Sequence, residues 1–268
     1  MKGRVLIIAG SDSSGGAGIQ ADIKTVTALG GYAASAITAL TAQDSRHIHQ
    51  VIPIDPKFVA KQIQVVIEDI GIDCIKTGML WSPQTLKMVC KQIDSQATKK
   101  PVVVDPILFA TEGTALLDKQ AIELLRDQLL PLATVATPNI AEAEILTGLK
   151  INSIDDMINS AKLLCKFGAQ ATLVTGGHLD SSKLYDVLVH QNGQQVFQSS
   201  RIDTPHTHGT GCTLSSAIAT GLAQGMDLFK SITRARQYVH EAIKNAPGYG
   251  SGHGPLNHCV APSEKLQG

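Results

Sequence analysis

The chain has 268 residues, long enough to bury a complete hydrophobic core, and we expect a single domain over residues 1–268. Apolar residues make up 43% and charged residues 17%, which favours a globular enzyme and excludes a disordered or fibrous chain. The formal net charge is zero and no block of like charge occurs, so neither a nucleic acid nor a membrane surface is expected as a partner.

The first segment, Met1–Gly10, superficially resembles a signal peptide, because two basic residues precede an apolar run. The run is too short, however, and polar residues follow it directly. No stretch approaches the roughly 18 apolar residues that a membrane span needs. We therefore expect a buried first strand and a cytoplasmic protein.

Short apolar runs alternate with amphipathic helical patterns, which predicts a mostly parallel sheet covered by helices. Asp55 is predicted to cap a helix that begins at Pro56, where proline is tolerated. Asp118 and Ser153 are predicted to cap two later helices. The predicted strands are Val5–Ala9, Ala34–Ala39, Cys74–Thr77, Val102–Val104, Thr134–Ala136 and Thr172–Thr175.

Two segments interrupt this alternation. His47–Ile54 has the pattern of a short extended flap, and Leu184–His190 with Gln194–Ser199 is typical of a hairpin with an Asn-Gly turn. Antiparallel strands are therefore expected at an edge of the sheet. Residues 211–246 are predicted to form two helices that are separated near Gln224–Asp227.

The strongest chemical signal is His208-Gly209-Thr210-Gly211-Cys212, followed at once by a helical apolar pattern. A helix start leaves about four amides unpaired and carries roughly half a positive charge, so it favours phosphate or developing negative charge. A thiol at this place should have a lowered pKa and could act as a general base. The alternative is a helix start of small residues with a buried cysteine.

A glycine-rich segment, Gly10–Gly18, joins the first strand to a predicted helix. It lacks the Lys-Ser/Thr ending of a P-loop, and Gly15-Gly16-Ala17-Gly18 does not match the GxGxxG dinucleotide motif. Neither a P-loop ATPase nor a Rossmann dehydrogenase is therefore favoured. Asp22, one turn into the helix, could equally be a solvated carboxylate.

Three of the predicted strands are followed by residues that could bind a ligand. Asp105 follows one strand, Asn139 and Glu142 follow the next, and Gly176-Gly177-His178 follows another. Ligands collect beyond the carboxyl ends of strands in open α/β sheets. Asp105, Asn139 and Glu142 could therefore meet around a hydrated Mg²⁺, which needs only one or two carboxylates. Each of the three could also be a turn or cap residue. The paired glycines could bring the backbone close to a nucleotide.

Five widely spaced cysteines include no CxxC pair, so neither a disulfide framework nor a zinc site is expected. His206 and His208 have the spacing of metal ligands but lack a matching acidic or cysteine pair, so no metal site is predicted there. The cysteines are Cys74, Cys90, Cys165, Cys212 and Cys259.

Six segments together carry a specific pattern: Ala9–Asp22, Ile37–Gln43, Lys76–Leu80, Val104–Pro106, Thr137–Asn139 with Glu142-Ala143, and Thr207–Cys212. In this order and spacing they resemble the hydroxymethylpyrimidine and phosphomethylpyrimidine kinases of thiamine biosynthesis, in the ribokinase-like superfamily. The resemblance implies a three-layer α/β/α sandwich, with a mostly parallel central sheet and a small antiparallel edge. A homodimer is also expected.

The resemblance implies ATP-dependent phosphorylation of 4-amino-5-hydroxymethyl-2-methylpyrimidine, first at its hydroxymethyl group and then on the monophosphate. Gln43 would pair with the amino edge of the ring, because a side-chain amide offers both a donor and an acceptor. Gly10, Ala17 and Met79 would shape the pyrimidine pocket, and Asp22 would lie near the hydroxymethyl end.

For the transfer step, the resemblance places Cys212 where most ribokinase-like enzymes have an aspartate base, with Gly209, Thr210 and Gly211 completing an anion hole. The resemblance implies that Asp105 and Glu142 bind Mg²⁺. It implies that the nucleotide is bound by Asn139, Thr175, Gly177 and His208.

The chain departs from the family pattern at two places. Thr175 stands where a lysine is usual, which would leave one cation fewer near the phosphates, and the residues around Leu108–Thr111 differ from the usual lid. Some relatives that act on pyridoxal carry a second cysteine in this region, and none occurs here between Val102 and Leu117, which disfavours that variant.

Three alternatives remain open at this stage. A kinase of pyridoxal or pyridoxine is disfavoured by the Gln43 pocket and by the presence of a single cysteine, Cys212, in the expected active site. A cysteine-dependent hydrolase would use Cys212 with His206 or His208 and form an acyl intermediate without a nucleotide. A binding module that has lost catalysis would be compatible with Thr175.

Overall fold

The computed structural model describes residues 1–95, 99–109, 117, 119–177 and 183–260. Within these residues, nine strands form one sheet in the order β3-β2-β1-β4-β5-β6-β7-β8-β9. The strands are β1 (Arg4–Asp12), β2 (Tyr32–Gln43), β3 (Ile48–Pro53), β4 (Cys74–Thr77), β5 (Val102–Val104), β6 (Val135–Ala136), β7 (Ala171–Thr175), β8 (Lys183–His190) and β9 (Gly193–Ser200).

The central strands, from β2 through β1 and β4 to β7, are parallel, while β3 and the β8–β9 hairpin pair antiparallel at the two edges. All six predicted strands are confirmed. The extended segment predicted over His47–Ile54 is β3, and the predicted hairpin is β8 and β9. The antiparallel edge is therefore present on both sides of the sheet rather than on one.

Eight α-helices are described: α1 (Gly18–Ala28), α2 (Pro56–Asp69), α3 (Pro83–Asp94), α4 (Lys119–Leu124), α5 (Ile140–Thr147), α6 (Ile154–Lys166), α7 (Thr210–Ala223) and α8 (Leu228–Lys244). A π-helical turn, Leu125–Leu129, and a 3₁₀ turn, Leu130–Leu132, follow α4. The predicted break between two C-terminal helices is confirmed, because α7 ends at Ala223 and α8 begins at Leu228.

Two of the three predicted helix caps are confirmed. The Asp55 side chain accepts hydrogen bonds from the Lys57 and Phe58 amides at the start of α2. The Ser153 side chain accepts one from the Asp156 amide at the start of α6. Such caps satisfy amides that the helix itself leaves unpaired. Asp118 lies outside the described residues.

Apolar side chains form one cluster on each face of the sheet, which confirms the three-layer arrangement. Helices α2, α3, α5 and α6 cover one face through side chains such as Ile63 and Leu86, which are fully buried. Helices α1, α7 and α8 cover the other face through side chains such as Val26 and Ile218. Within the described chain, no helix is both long and apolar enough to cross a bilayer.

Candidate active site

A cavity of about 1220 Å³ opens beyond the carboxyl ends of the parallel strands. Its position follows from the topology, since all of these strands end at the same edge. Except for Asp22, every predicted site residue lines this cavity: Gly10, Ala17, Gln43, Met79, Asp105, Asn139, Glu142, Thr175, Gly177, His208, Gly209, Thr210, Gly211 and Cys212.

The loop after β1 is held by the Asp12 side chain. Its two carboxylate oxygens accept hydrogen bonds from the amides of Ser14 (2.8 Å), Gly16 (3.1 Å) and Ala17 (2.8 Å). The Nε2 atom of His208 lies 2.9 Å from Asp12 Oδ2. Burial alone would raise the pKa of Asp12, but the bonds from His208, Ser14 and Ala17 outweigh it and leave the pKa lowered. Asp12 is therefore a carboxylate that joins this loop to the start of α7.

The Gln43 side chain lies at the same end of the cavity, between His208 and Thr41. Its Nε2 is 3.4 Å from His208 Nε2, and its Oε1 is 3.3 Å from the Thr41 hydroxyl. The Thr41 hydroxyl donates to the Ser11 carbonyl at 2.8 Å, and His208 Nε2 needs its hydrogen for the Asp12 carboxylate. If the oxygen and nitrogen of the Gln43 amide are exchanged, its oxygen accepts from His208 and its nitrogen donates to the Thr41 hydroxyl, so both contacts become hydrogen bonds. The network thus orients Gln43 towards the cavity.

Two glycines allow the close approach of backbone segments at this end. A Cβ at Gly10 would overlap the end of the Met79 side chain, which packs across it. Gly209 has φ +84°, and a Cβ there would overlap the Gly16 carbonyl. A larger residue at position 10 would displace the Met79 side chain, and one at position 209 would push the β1 loop away from the start of α7.

Helix α7 begins beside the cavity with free backbone donors. Its N-cap residue is Gly209, and no side chain caps it within the described chain. The Thr210 amide donates to the Thr207 carbonyl, whereas Gly211 and Cys212 lie in the first turn, whose amides have no intrahelical acceptor. These amides and the helix dipole make the site suitable for a phosphoryl group.

The predicted lowered pKa of Cys212 is wrong for this structure. Burial raises the pKa of the thiol to about 12, and the carboxylates of Asp105 and Asp22 add to the rise. The Lys76 ammonium and a hydrogen bond from the Gly18 amide act in the opposite direction but do not outweigh burial. Cys212 therefore carries its proton at neutral pH, which also removes support from the cysteine-hydrolase hypothesis.

Asp22 does not line the cavity, contrary to its predicted place beside the substrate. The residue is fully buried, and both carboxylate oxygens lie 2.9 Å from Lys76 Nζ. Burial raises the pKa of Asp22, against the lowering effects of Lys76 and Ser216. Lys76 also lies 3.7 Å from Asp105 Oδ2. Despite burial, the three acidic neighbours Asp22, Cys212 and Asp105 raise the pKa of Lys76, so the lysine is charged.

Asn139 and Glu142 form a capping box at the start of α5. The Glu142 amide donates to Asn139 Oδ1 at 3.0 Å, and Glu142 Oε2 accepts from the Asn139 amide at 2.9 Å. Burial, with the nearby Asp105 carboxylate, raises the pKa of Glu142 to about 8. Two carboxylates that disfavour each other's charge suit a hydrated Mg²⁺, which takes oxygen ligands and needs few from the protein. Among the described residues, no group of three histidine, cysteine or acidic side chains forms a dedicated metal site.

The opposite end of the cavity is lined by Thr175 and Gly177 at the end of β7. Arg236 donates to Asp186 Oδ2 at 2.7 Å, and Asp186 Oδ1 accepts from the Gly176 amide at 3.1 Å. Arg201 donates to the Gly177 carbonyl at 2.9 Å. Two arginines therefore contact the segment next to Thr175. His178 falls outside the described residues.

His208 belongs to a different end of the cavity than predicted. The sequence prediction placed it with the nucleotide, but its Nε2 contacts are Asp12 and the Gln43 amide. Thr175 and Gly177, in contrast, lie together with Asn139, because the Thr175 amide donates to the Pro138 carbonyl. His208 therefore supports the Gln43 pocket.

A model of the phosphomethylpyrimidine kinase family matches residues 12–257. The chain belongs to this family. It is 42% identical over 264 residues to the hydroxymethylpyrimidine/phosphomethylpyrimidine kinase of Bacillus subtilis, covering 98% of this chain and 97% of that protein. It is 46% identical over 263 residues to the thiamine biosynthesis bifunctional protein ThiED of Geobacter sulfurreducens, and spans about half (54%) of that longer protein.

The fold comparison agrees with this assignment. An ADP complex of Bacillus subtilis pyridoxal kinase superposes with a TM-score of 0.89 at 39% identity, covering 96% of this chain and 98% of that one. The predicted ribokinase-like sandwich is therefore confirmed. As a member of the phosphomethylpyrimidine kinase family, the chain is a phosphotransferase.

No role was predicted from the sequence for four residues in or beside the site: Asp12, Lys76 and the adjacent serines Ser215 and Ser216. Asp12 had a detectable signal, since an aspartate before Ser-Ser-Gly-Gly is typical of a side chain that binds its own loop. Lys76 offered a weaker one, a single charged residue in a strand that the sheet buries on both faces. The two serines look like ordinary helix residues.

Proposed function

We propose that this chain transfers the γ-phosphoryl group of ATP to the hydroxymethyl group of 4-amino-5-hydroxymethyl-2-methylpyrimidine and then to the resulting monophosphate. One observation carries the proposal: a single cavity joins the Gln43 pocket to the uncapped start of α7. Membership of the phosphomethylpyrimidine kinase family supports the choice of substrate.

At one end, Gln43 would pair with the amino edge of the pyrimidine, with its amide oriented by His208 and Thr41. Gly10 and Met79 would form the flat wall against the ring, because their tight packing leaves no room for a Cβ at position 10. Ala17, whose amide is held by Asp12, would complete the pocket. Selectivity would arise from a buried donor and acceptor that only a matching ring edge satisfies.

At the transfer point, the amides of Gly209, Gly211 and Cys212 would stabilise negative charge on the moving phosphoryl group, while Thr210, whose amide donates to the Thr207 carbonyl, would hold the turn in shape. Cys212 would accept the hydroxyl proton. Since the pKa of its thiol is raised to about 12, only a small fraction is thiolate at neutral pH. Positioning and electrostatic stabilisation would therefore supply most of the rate, as is general for phosphoryl transfer.

Asp105 and Glu142 would hold Mg²⁺, which neutralises phosphate charge when bound. Asn139, Thr175 and Gly177 would contact the nucleotide from the ends of β6 and β7. The arginines Arg201 and Arg236 lie near the place that a lysine would otherwise fill. The predicted homodimer and cytoplasmic location stay predictions.

A pyridoxal kinase is the second candidate, because a pyridoxal kinase shares 39% identity and the fold with this chain. ADP formation measured with the pyrimidine, with pyridoxal and with no acceptor separates the two. We expect the pyrimidine to give the highest specificity constant. ADP formation no faster with the pyrimidine than with the blank would refute the proposed function, and a clear preference for pyridoxal would replace it with the second candidate.

A further inference from the structure

Lys76 is a fully buried lysine on β4 that the proposed mechanism does not use. Its Nζ lies 2.9 Å from both carboxylate oxygens of Asp22 and 3.7 Å from Asp105 Oδ2. A Cβ placed on Gly78 would lie only 3.1 Å from the same Nζ, so the ammonium is closely packed. Lys76 does not line the cavity and so does not touch the substrate.

Both carboxylates connect this ammonium to α7. Asp22 Oδ1 accepts a hydrogen bond of 2.6 Å from the Ser216 hydroxyl. The Ser215 hydroxyl lies 3.0 Å from Asp105 Oδ2 and equally far from the Gly211 and Cys212 carbonyls, so these three acceptors share its hydrogen. Ser215 and Ser216 lie one turn after Cys212 on the same helix. The ammonium thus links α1, the end of β5 and the turn of α7 next to the proposed anion hole.

Charge gives a second reason for this lysine. Counted as ionised groups, the two carboxylates and the ammonium give the cluster one net negative charge. Without Lys76 it would carry two, buried beside the place where phosphates would bind. Like charges repel strongly where water is excluded, and a buried ion that loses its partner destabilises its surroundings.

We infer that Lys76 is a positioning residue for phosphoryl transfer: it fixes the start of α7 through Asp22 and Asp105 and limits the negative charge beneath the anion hole. The inference rests on the proposed function. Because the anion hole acts on charge that develops in the transition state, misplacing it should lower kcat more than it raises KM.

Two variants test the inference: the first changes the net charge of the cluster, and the second restores it. Lys76→Met removes the charge and shortens the side chain by one atom, and Asp22→Asn with Lys76→Met removes one charge of each sign. We expect Lys76→Met to lower kcat on the order of 10²-fold. We expect the double variant to recover about tenfold of this loss, because it returns the cluster to one net negative charge. Because kcat is measured on folded protein, a role in stability alone would leave kcat of both variants close to that of the wild type.

Ser216→Ala decides the question if Lys76→Met does not fold. This change removes only the bond between α7 and Asp22, and we expect kcat to fall roughly tenfold with KM for ATP within about twofold of the wild type. Thr220→Val is the matched control, since the Thr220 hydroxyl donates to the Ser216 carbonyl within the same helix and does not contact the cluster. We expect wild-type kinetics for this control.

The failures of the two proposals are distinguishable. Wild-type protein that forms no pyrimidine-dependent ADP would refute the proposed function. If the wild type is active, a folded Lys76→Met variant with kcat within about threefold of it would overturn the role of Lys76. A double variant no faster than Lys76→Met would also overturn it, as would equal kcat for Ser216→Ala and Thr220→Val.

Discussion

At the scale of single residues, Cys212 shows how two environments compete for one thiol. The first turn of a helix favours a thiolate, but burial, with the carboxylates of Asp105 and Asp22, has the larger effect and raises the pKa of Cys212 to about 12. Compared with an aspartate at this position, the thiol would be a stronger base that is rarely ionised. The rate should therefore depend on pH through this group.

We expect the pyrimidine-dependent rate of the wild type to rise with pH between about 7 and 9, since the thiolate fraction grows as pH approaches the raised pKa. Cys212→Ala should lower turnover on the order of 10²–10⁴-fold and abolish the rise. Steady-state kinetics across this range check both, with Cys259→Ala, an exposed thiol, as the control. Near-normal turnover of Cys212→Ala would show that positioning and the anion hole suffice.

Gln43 is the residue on which the choice of substrate depends in this account. Gln43→Ala should lower kcat/KM for the pyrimidine about ten- to a hundredfold, because one or two hydrogen bonds to the ring are lost. KM for ATP should not change. Gln50→Ala, an exposed glutamine on β3, serves as the control. An unaltered ratio of kcat/KM for pyrimidine over pyridoxal would show that Gln43 does not select the ring.

At the scale of elements, the start of α5 combines a structural and a chemical task. The capping box fixes Glu142 in place, while burial and Asp105 raise the pKa of its carboxyl to about 8. A raised pKa means that the folded state binds a proton more tightly than the unfolded state does. The contribution of Glu142 to stability is therefore full below its ordinary pKa of 4.5 and is lost as pH rises through about 8.

Glu142→Gln should remove this pH dependence while keeping an acceptor for the Asn139 amide. Without Mg²⁺, we expect the variant to unfold at a higher temperature than the wild type above about pH 8, and the difference to shrink towards about pH 5. Added Mg²⁺ should stabilise the wild type more than the variant. Thermal unfolding at several pH values measures this. Glu144→Gln on the same helix should give no such gain, because the pKa of Glu144 is lowered.

At the scale of the whole molecule, local patterns predicted the parallel sheet well. The strand Cys74–Thr77 is found with its predicted bounds, because four residues followed by Gly78 are too few for a helix. β2 runs to Gln43, beyond the predicted Ala39, since antiparallel pairing with β3 extends it. Helix α3 had no sequence prediction, although Ser82 and Pro83 mark its start.

The sequence predicted which residues form the site better than it predicted the contacts between them. The order and spacing of the motifs along the chain were enough to predict that Gly10, Gln43 and Cys212 lie around one cavity. The pairing of Asp22 with Lys76 spans 54 residues of sequence, so no local pattern could reveal it. The direction of the Cys212 pKa shift was wrong for the same reason: the helix start is visible locally, whereas burial and neighbouring carboxylates depend on the tertiary structure.

The stoichiometry of ADP formation tests the central claim most directly. A limiting amount of 4-amino-5-hydroxymethyl-2-methylpyrimidine is incubated with excess ATP and Mg²⁺, and ADP and phosphorylated pyrimidines are quantified together. Two successive transfers predict about two ADP per pyrimidine and the diphosphate as the final product. ADP at the level of the acceptor-free blank, with the pyrimidine recovered unchanged, would contradict the account.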